Sequence, residues 1–202
     1  MPNESKPRTH QRITFNAPAV LCFVALCVGE RLLSMATGGA STRMFFMTYA
    51  SSLTNPLTYL RLFTHVLGHA SWDHLISNMN YILLVGPLLE EKYGTRTVAE
   101  VMALTAVVCG LVNNLFFPGR ALCGASGICF ALILLSSVTS LREGEIPLTF
   151  LLVAALFLGQ QVVQGIFMSD NISNLSHIIG GLVGAASGFA LAKEQGPSSH
   201  AG

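Results

Sequence analysis

Six apolar segments, each close to the length that crosses a lipid bilayer, constrain this chain more than any other feature. They run over about residues 14–36, 72–91, 97–117, 124–141, 147–168 and 171–192, against the ~20 residues a helix needs to span a ~30 Å hydrocarbon core. Composition agrees: 51% of residues are hydrophobic and 10% charged, where soluble domains carry about 25% charged residues. The expectation is an all-α membrane protein, a bundle of six transmembrane helices. A net charge of +1 gives no argument for nucleic acid. Five cysteines is an odd number, and Cys22, Cys27, Cys109 and Cys129 sit inside apolar runs. They read as packing thiols, not a disulfide framework.

The first segment follows Lys6, Arg8 and Arg12, and Ser34-Met35-Ala36 mimics a signal-peptide cleavage site. Five further spans make an uncleaved helix the simpler reading. The expected organisation is a cytoplasmic tail over 1–13, a six-helix membrane domain over 14–192 and a second cytoplasmic tail over 193–202. Residues 38–64, with RMFFMTY and PLTYLRLF, form a long loop between the first two helices. Its aromatics, methionines and arginines suit a segment resting among lipid headgroups. Orientation follows from the basic residues. Lys6, Arg8, Arg12, Lys92, Arg96, Arg142 and Lys193 fall on one side, Arg43, Arg61 and Arg120 on the other, which places both termini in the cytoplasm.

Segments two, four and six run in the same direction, and each carries its unusual polar residues in its first two turns. These are His74 and Asn78, Ser126, and His177. At 1.5 Å per residue all four lie within roughly 10 Å of the outer helix ends, and polar side chains at that depth mark a functional site. In CGASGICF, Gly124 and Gly127 leave the backbone open around Ser126. A serine at a helix start is either an N-cap or a nucleophile beside exposed N–H groups that suit an oxyanion. The run from Ser126 to Leu141 is shorter than the membrane core, so the preceding loop must dip inward.

His177 opens SHIIGGLVGAASG, where Gly180, Gly184 and Gly188 recur every four residues. That pattern lets helices touch backbone to backbone and would bring the imidazole within reach of a serine on the neighbouring helix. A buried histidine bonded to a carbonyl is the alternative. His74 and Asn78 share one helical face, and both can donate hydrogen bonds. His65 and His69, at the loop junction, read as supports tying the loop to the bundle. A metal held by the histidines lacks a carboxylate or thiol at ligand spacing beyond Asp73, which is itself placed to cap segment two. No acid is well placed to orient His177, so a Ser–His dyad is the chemistry expected. Neither a metal nor a cofactor is called for.

Taken in order, these motifs resemble the rhomboid intramembrane serine proteases. The second helix reads His65, His69, then His74-Leu-Ile-Ser-Asn78, with Gly86, Glu90 and Gly94 at its end. GxSG reads Gly124-Ala-Ser126-Gly127, and the sixth-helix motif reads His177-Ile-Ile-Gly180 with Gly184. The resemblance implies a minimal six-helix domain that cuts transmembrane protein substrates near their outer ends within membrane lipid, with Ser126 as nucleophile and His177 as general base. His74, Asn78 and the Ser126 backbone N–H would hold the oxyanion, and a bare six-helix core favours a bacterial plasma membrane. Two positions depart from the family: Tyr59-Leu-Arg61 replaces a common Trp-Arg pair, and Ser176 stands where alanine is usual. Two rival readings stand beside this one. An inactive rhomboid relative that binds and routes membrane proteins usually loses the Ser–His pair, which is intact here. A transporter or haem bundle built on the histidines gives Ser126 no role.

Overall fold

The computed structural model describes residues 14–138, 146–167 and 171–194. The chain folds into helices α1 (Pro18–Ala36), α2 (Ala40–Phe45), α3 (Pro56–Thr64), α4 (Trp72–Tyr93), α5 (Thr95–Phe116), α6 (Ser126–Ser137), α7 (Leu148–Phe167) and α8 (Asn171–Glu194). Six correspond to the apolar segments, and α2 and α3 are short helices within the long first loop. By length and hydropathy, α1, α5 and the stretch Asn174–Lys193 of α8 qualify as membrane spans among the described residues. The tail expected at 1–13 and residues 195–202 of the one expected at 193–202 lie outside the described residues, whereas Lys193 and Glu194 belong to α8.

Local chemistry sets the helix ends. Pro18 opens α1, where a missing N–H costs nothing. The next two N–H groups, of Ala19 and Val20, donate to the two carboxylate oxygens of Glu90 at 2.8 and 3.0 Å. One acidic side chain near the end of α4 thus serves as the remote cap of α1. Gly86 lies against Val20 (a Cβ there would stand 2.6 Å from Cγ2), so α1 and α4 pack closely. The first turn of α4 corrects an expectation. Ser71, not Asp73, is the cap: its hydroxyl accepts the His74 N–H at 3.1 Å. Asp73 sits inside the first turn, where its charge still suits the positive end of the helix. Gly94, at φ +83°, ends α4 and starts α5 with no further linker.

Helix α6 is the centre of the bundle, with Gly127, Ile128, Cys129, Ala131, Leu132, Leu134 and Leu135 all buried. At 12 residues it is about 18 Å long, shorter still than its sequence suggested. Ser136 and Ser137 turn their hydroxyls back onto the carbonyls of Ile133 and Leu134 at 2.7 and 2.8 Å, a competition that weakens the helix ladder. Residues 139–141, counted with this segment from sequence, lie outside the described residues. The long α8 packs on α6 through its small residues. Side-chain carbons at Gly180 and Gly184 would collide with the carbonyls of Gly127 and Ala131, and one at Gly188 with Val138. Leu75, Ile82 and Leu89 of α4 join Val98, Met102, Ile128, Leu132 and Leu135 in the core. The first loop is tied to the α5–α6 loop by paired backbone bonds between Thr48 and Leu122, at 2.9 and 2.8 Å.

Candidate active site

A cavity of about 490 Å³ opens between α4, α6, α7 and α8. His74, Ser77, Asn78 and Tyr81 form one wall and Ser126, Cys129, Phe130 and Ile133 the facing one; Val153, Leu156 and His177 close it. Both long walls follow the i, i+3, i+4, i+7 spacing of a single helical face. Ser126, His177, His74 and Asn78, singled out from sequence on three separate segments, therefore border the same space.

Each glycine of the GxSG stretch gives way to a neighbour. Gly124 adopts φ +123°, a region L-residues avoid, and the imidazole of His74 lies on it: a Cβ would stand 2.6 Å from Cε1. At Gly127 a Cβ would meet the Cys109 sulfur at 3.0 Å and the Ser176 carbonyl at 3.4 Å. The same Ser176 carbonyl accepts from the Cys109 thiol. The alanine-to-serine departure at 176 thus falls at a packed backbone contact. His177 follows it, its ring tilted against Phe130 at 4.5 Å between centroids. Phe130 is one turn beyond Ser126 on α6.

The two loop histidines hold the frame. The His65 Nε2 donates to the Ala106 carbonyl at 2.9 Å, and its own carbonyl accepts the Gly124 N–H at 2.9 Å. One residue thereby links the first loop, α5 and the approach to Ser126. His69 Nδ1 donates to the Leu67 carbonyl at 3.0 Å, which leaves Nε2 as an acceptor for the Asn78 amide at 3.1 Å. Burial holds both imidazoles well below their usual value, at about 4, with His74 and Arg31 adding to the effect at His69. Both are neutral at pH 7, as these bonds require. The Cys129 thiol donates to the Asn78 backbone carbonyl at 3.5 Å and lies 3.7 Å from its side-chain oxygen. The bond to His69 Nε2 sets which way the amide faces.

Sequence reading missed Ser77, Tyr81, Cys129 and Phe130. The first two were legible, because they complete the helical face that His74 and Asn78 begin. Cys129 and Phe130 were hidden in an apolar run with nothing to mark them. Among the described residues no three His, Cys, Asp or Glu side chains converge as a metal site would need. Gln160 and Gln164, which share a face of the fifth apolar segment and read from sequence either as bordering the pocket or a substrate route or as making interhelical hydrogen bonds, belong to α7, but their side chains lie outside the described residues.

Comparison with known proteins fits this geometry. The sequence profile of the Rhomboid domain matches residues 56–194, from α3 to the end of α8. The chain belongs to the rhomboid family. It is similar to Rhomboid-like protein 11, chloroplastic, of Arabidopsis thaliana, with 26% identity over 144 residues, 64% of this chain and 51% of the relative. It also resembles Rhomboid protease GlpG of Haemophilus influenzae, 23% identical over 176 residues, covering 86% of this chain and 90% of the relative. Rhomboid protease GlpG of Yersinia pestis is 25% identical over 178 residues, 85% of this chain and 62% of the relative. The chain thus spans about half the length of the plant relative and under two thirds of the Yersinia one. This rhomboid chain is an integral membrane protein, an all-helical bundle whose helix α1 precedes the matched stretch.

Proposed function

We propose that the chain is an intramembrane serine endopeptidase that cuts transmembrane segments of membrane proteins near their outer ends. The observation that carries this reading is the single cavity bordered by Ser126, His177, His74 and Asn78. The Ser126 hydroxyl attacks the scissile carbonyl carbon while the His177 imidazole takes its proton. Negative charge then gathers on the former carbonyl oxygen. The first N–H groups of α6 have no acceptor within their own helix, and the Ser126 N–H joins His74 and the Asn78 amide as donors to that oxygen. When the tetrahedral species collapses, His177 returns the proton to the departing amine and leaves an acyl-serine. Water, deprotonated by the same imidazole, releases the second product and restores the hydroxyl.

His69 is a positioning residue in this scheme. Its Nε2 takes one amide hydrogen of Asn78, and the second remains to be donated to the oxyanion. Gly124 and Gly127 admit His74 and the α8 backbone, while Gly180 and Gly184 bring α8, and with it His177, against α6. His65 supports the approach to Ser126. The substrates are single-pass or other transmembrane proteins, met within membrane lipid. Both termini face the cytoplasm of a bacterial plasma membrane.

The test is cleavage of a model single-pass substrate in detergent or proteoliposomes. Ser126→Ala and His177→Ala are each expected to abolish it while thermal unfolding shows a folded protein. The double variant is no worse than either single, because the pair acts as a unit. Substantial cleavage by Ser126→Ala ends the serine-protease reading.

A further inference from the structure

A second cavity, of about 320 Å³, lies between the end of α1, α2 and the approach to α4. Arg31, Ser34, Thr42, Arg43 and His69 are among its lining residues. Arg31 donates to the His69 carbonyl at 3.3 Å and lies over the Trp72 ring at 5.9 Å, yet its buried Nε has no partner among the described residues. Arg43 donates to the Gly38 carbonyl at 3.3 Å and crosses Gly39, whose φ of +81° no bulkier residue adopts easily. Among the described residues neither arginine forms a salt bridge. Behind the wall the buried Glu30 accepts from Thr42 at 2.6 Å. Counted as a full negative charge, it still leaves the site with a surplus of one positive charge.

Two guanidinium groups without a carboxylate partner leave a positive charge that an anionic oxygen would offset, and their planar forks suit a phosphate. The surroundings of the cavity are apolar. Met35 and Met47 belong to its lining, and Leu32, Leu33, Met44, Phe45 and Trp72 are exposed at the same end of the bundle. A charged socket at a helix end, ringed by exposed apolar side chains and a tryptophan, has the layout of an interfacial headgroup site. We propose that this cavity binds the phosphate of an anionic membrane phospholipid between Arg31 and Arg43, with the acyl chains against the apolar surface around it. This site shares no residue with the Ser126 cavity, and its test needs no catalysis.

The full chain, purified in a neutral detergent, is titrated with phosphatidylglycerol, and bound lipid is counted by native mass spectrometry. One retained lipid is expected, with phosphatidylcholine weaker because its own amine offsets the phosphate. Arg43→Gln should weaken phosphatidylglycerol binding about tenfold, as for loss of one charge-assisted contact. Arg31→Lys keeps the charge but loses the fork and should also weaken it, with thermal unfolding confirming that both variants are folded. Arg96→Gln, at the exposed start of α5, is the control and leaves affinity unchanged. Equal affinity in Arg43→Gln and Arg31→Lys, or an equal loss in Arg96→Gln, overturns the site. Displacement of the lipid by excess inorganic phosphate overturns the lipid assignment in favour of a free anion.

Discussion

Asn78 shows how much chemistry depends on which way one amide faces. Its nitrogen faces His69 and its oxygen the Cys129 thiol. A donor to a developing oxyanion matters chiefly in the transition state, so Asn78→Ala should lower kcat with little change in KM. Loss of one such donor typically costs about 10²–10³ in rate, and the low end is expected here because His74 and the Ser126 N–H remain. Steady-state kinetics on a fluorogenic transmembrane substrate decides it. A raised KM at constant kcat would remove Asn78 from the oxyanion assignment. His69→Ala is expected to lower kcat in the same direction, and the His69→Ala/Asn78→Ala double variant should fall short of the product of the singles. Residues in one hydrogen-bond network couple by about 0.5–3 kcal/mol, whereas a purely structural His69 would give independent effects. Serine, histidine and asparagine stood out in the sequence because each is costly among apolar neighbours. Ser71 did not, because telling which of Ser71 and Asp73 caps α4 takes backbone angles that composition does not encode.

Between elements, the α6–α8 contact is the most sharply defined. Gly180 and Gly184 of α8 meet carbonyl groups of α6, which cannot rotate aside as a side chain can. Gly184→Ala is expected to destabilise the bundle by about 1–3 kcal/mol, the usual cost of overfilling a packed site. It should also depress cleavage, since the same contact carries His177. Gly29→Ala in α1 is the matching control, because nothing lies within 4 Å of a Cβ there. Helix propensity alone then favours it by up to about 1 kcal/mol. Thermal unfolding of the two variants in one detergent separates them; equal midpoints would contradict the close contact. The four-residue glycine spacing made a tight helix contact legible in the sequence. Its partner face was legible only at Gly127 of the GxSG stretch, since Ala131 is an ordinary residue of an apolar run and acquires meaning only when α8 lies on it.

For the molecule as a whole, the order and approximate ends of the six bundle helices could be read from hydropathy, because lipid leaves few alternatives to a helix. The interior of the first loop could not, since α2, α3 and the Thr48–Leu122 pairing depend on contacts with residues far along the chain. That loop also gives the fold a pH dependence. His65 and His69 stay neutral down to about pH 4 in the folded protein and titrate near 6.5 when exposed. Below pH 6.5 the unfolded chain therefore binds protons that the folded one does not, so stability is complete above 6.5 and is lost as pH falls towards 4. The upper limit is roughly 3 kcal/mol per histidine across that window. Thermal midpoints measured between pH 7 and 4.5 should fall, and His65→Gln should flatten the decline. A midpoint independent of pH in the wild-type chain would contradict the burial of both rings.

The remote cap on α1 also dictates an order of events during synthesis. Glu90 lies 71 and 70 residues beyond the two N–H groups it satisfies. At about 5–20 residues per second, the ribosome adds that stretch in roughly 4–14 s. Throughout that interval the first turn of α1 lacks the carboxylate it bonds in the folded chain, and an unsatisfied N–H in hydrocarbon is costly. The nascent helix must therefore keep that turn at the watery face of the bilayer. It can settle against its partner only after most of α4 has entered the membrane. A chain arrested before residue 90 would carry α1 without the carboxylate that caps it.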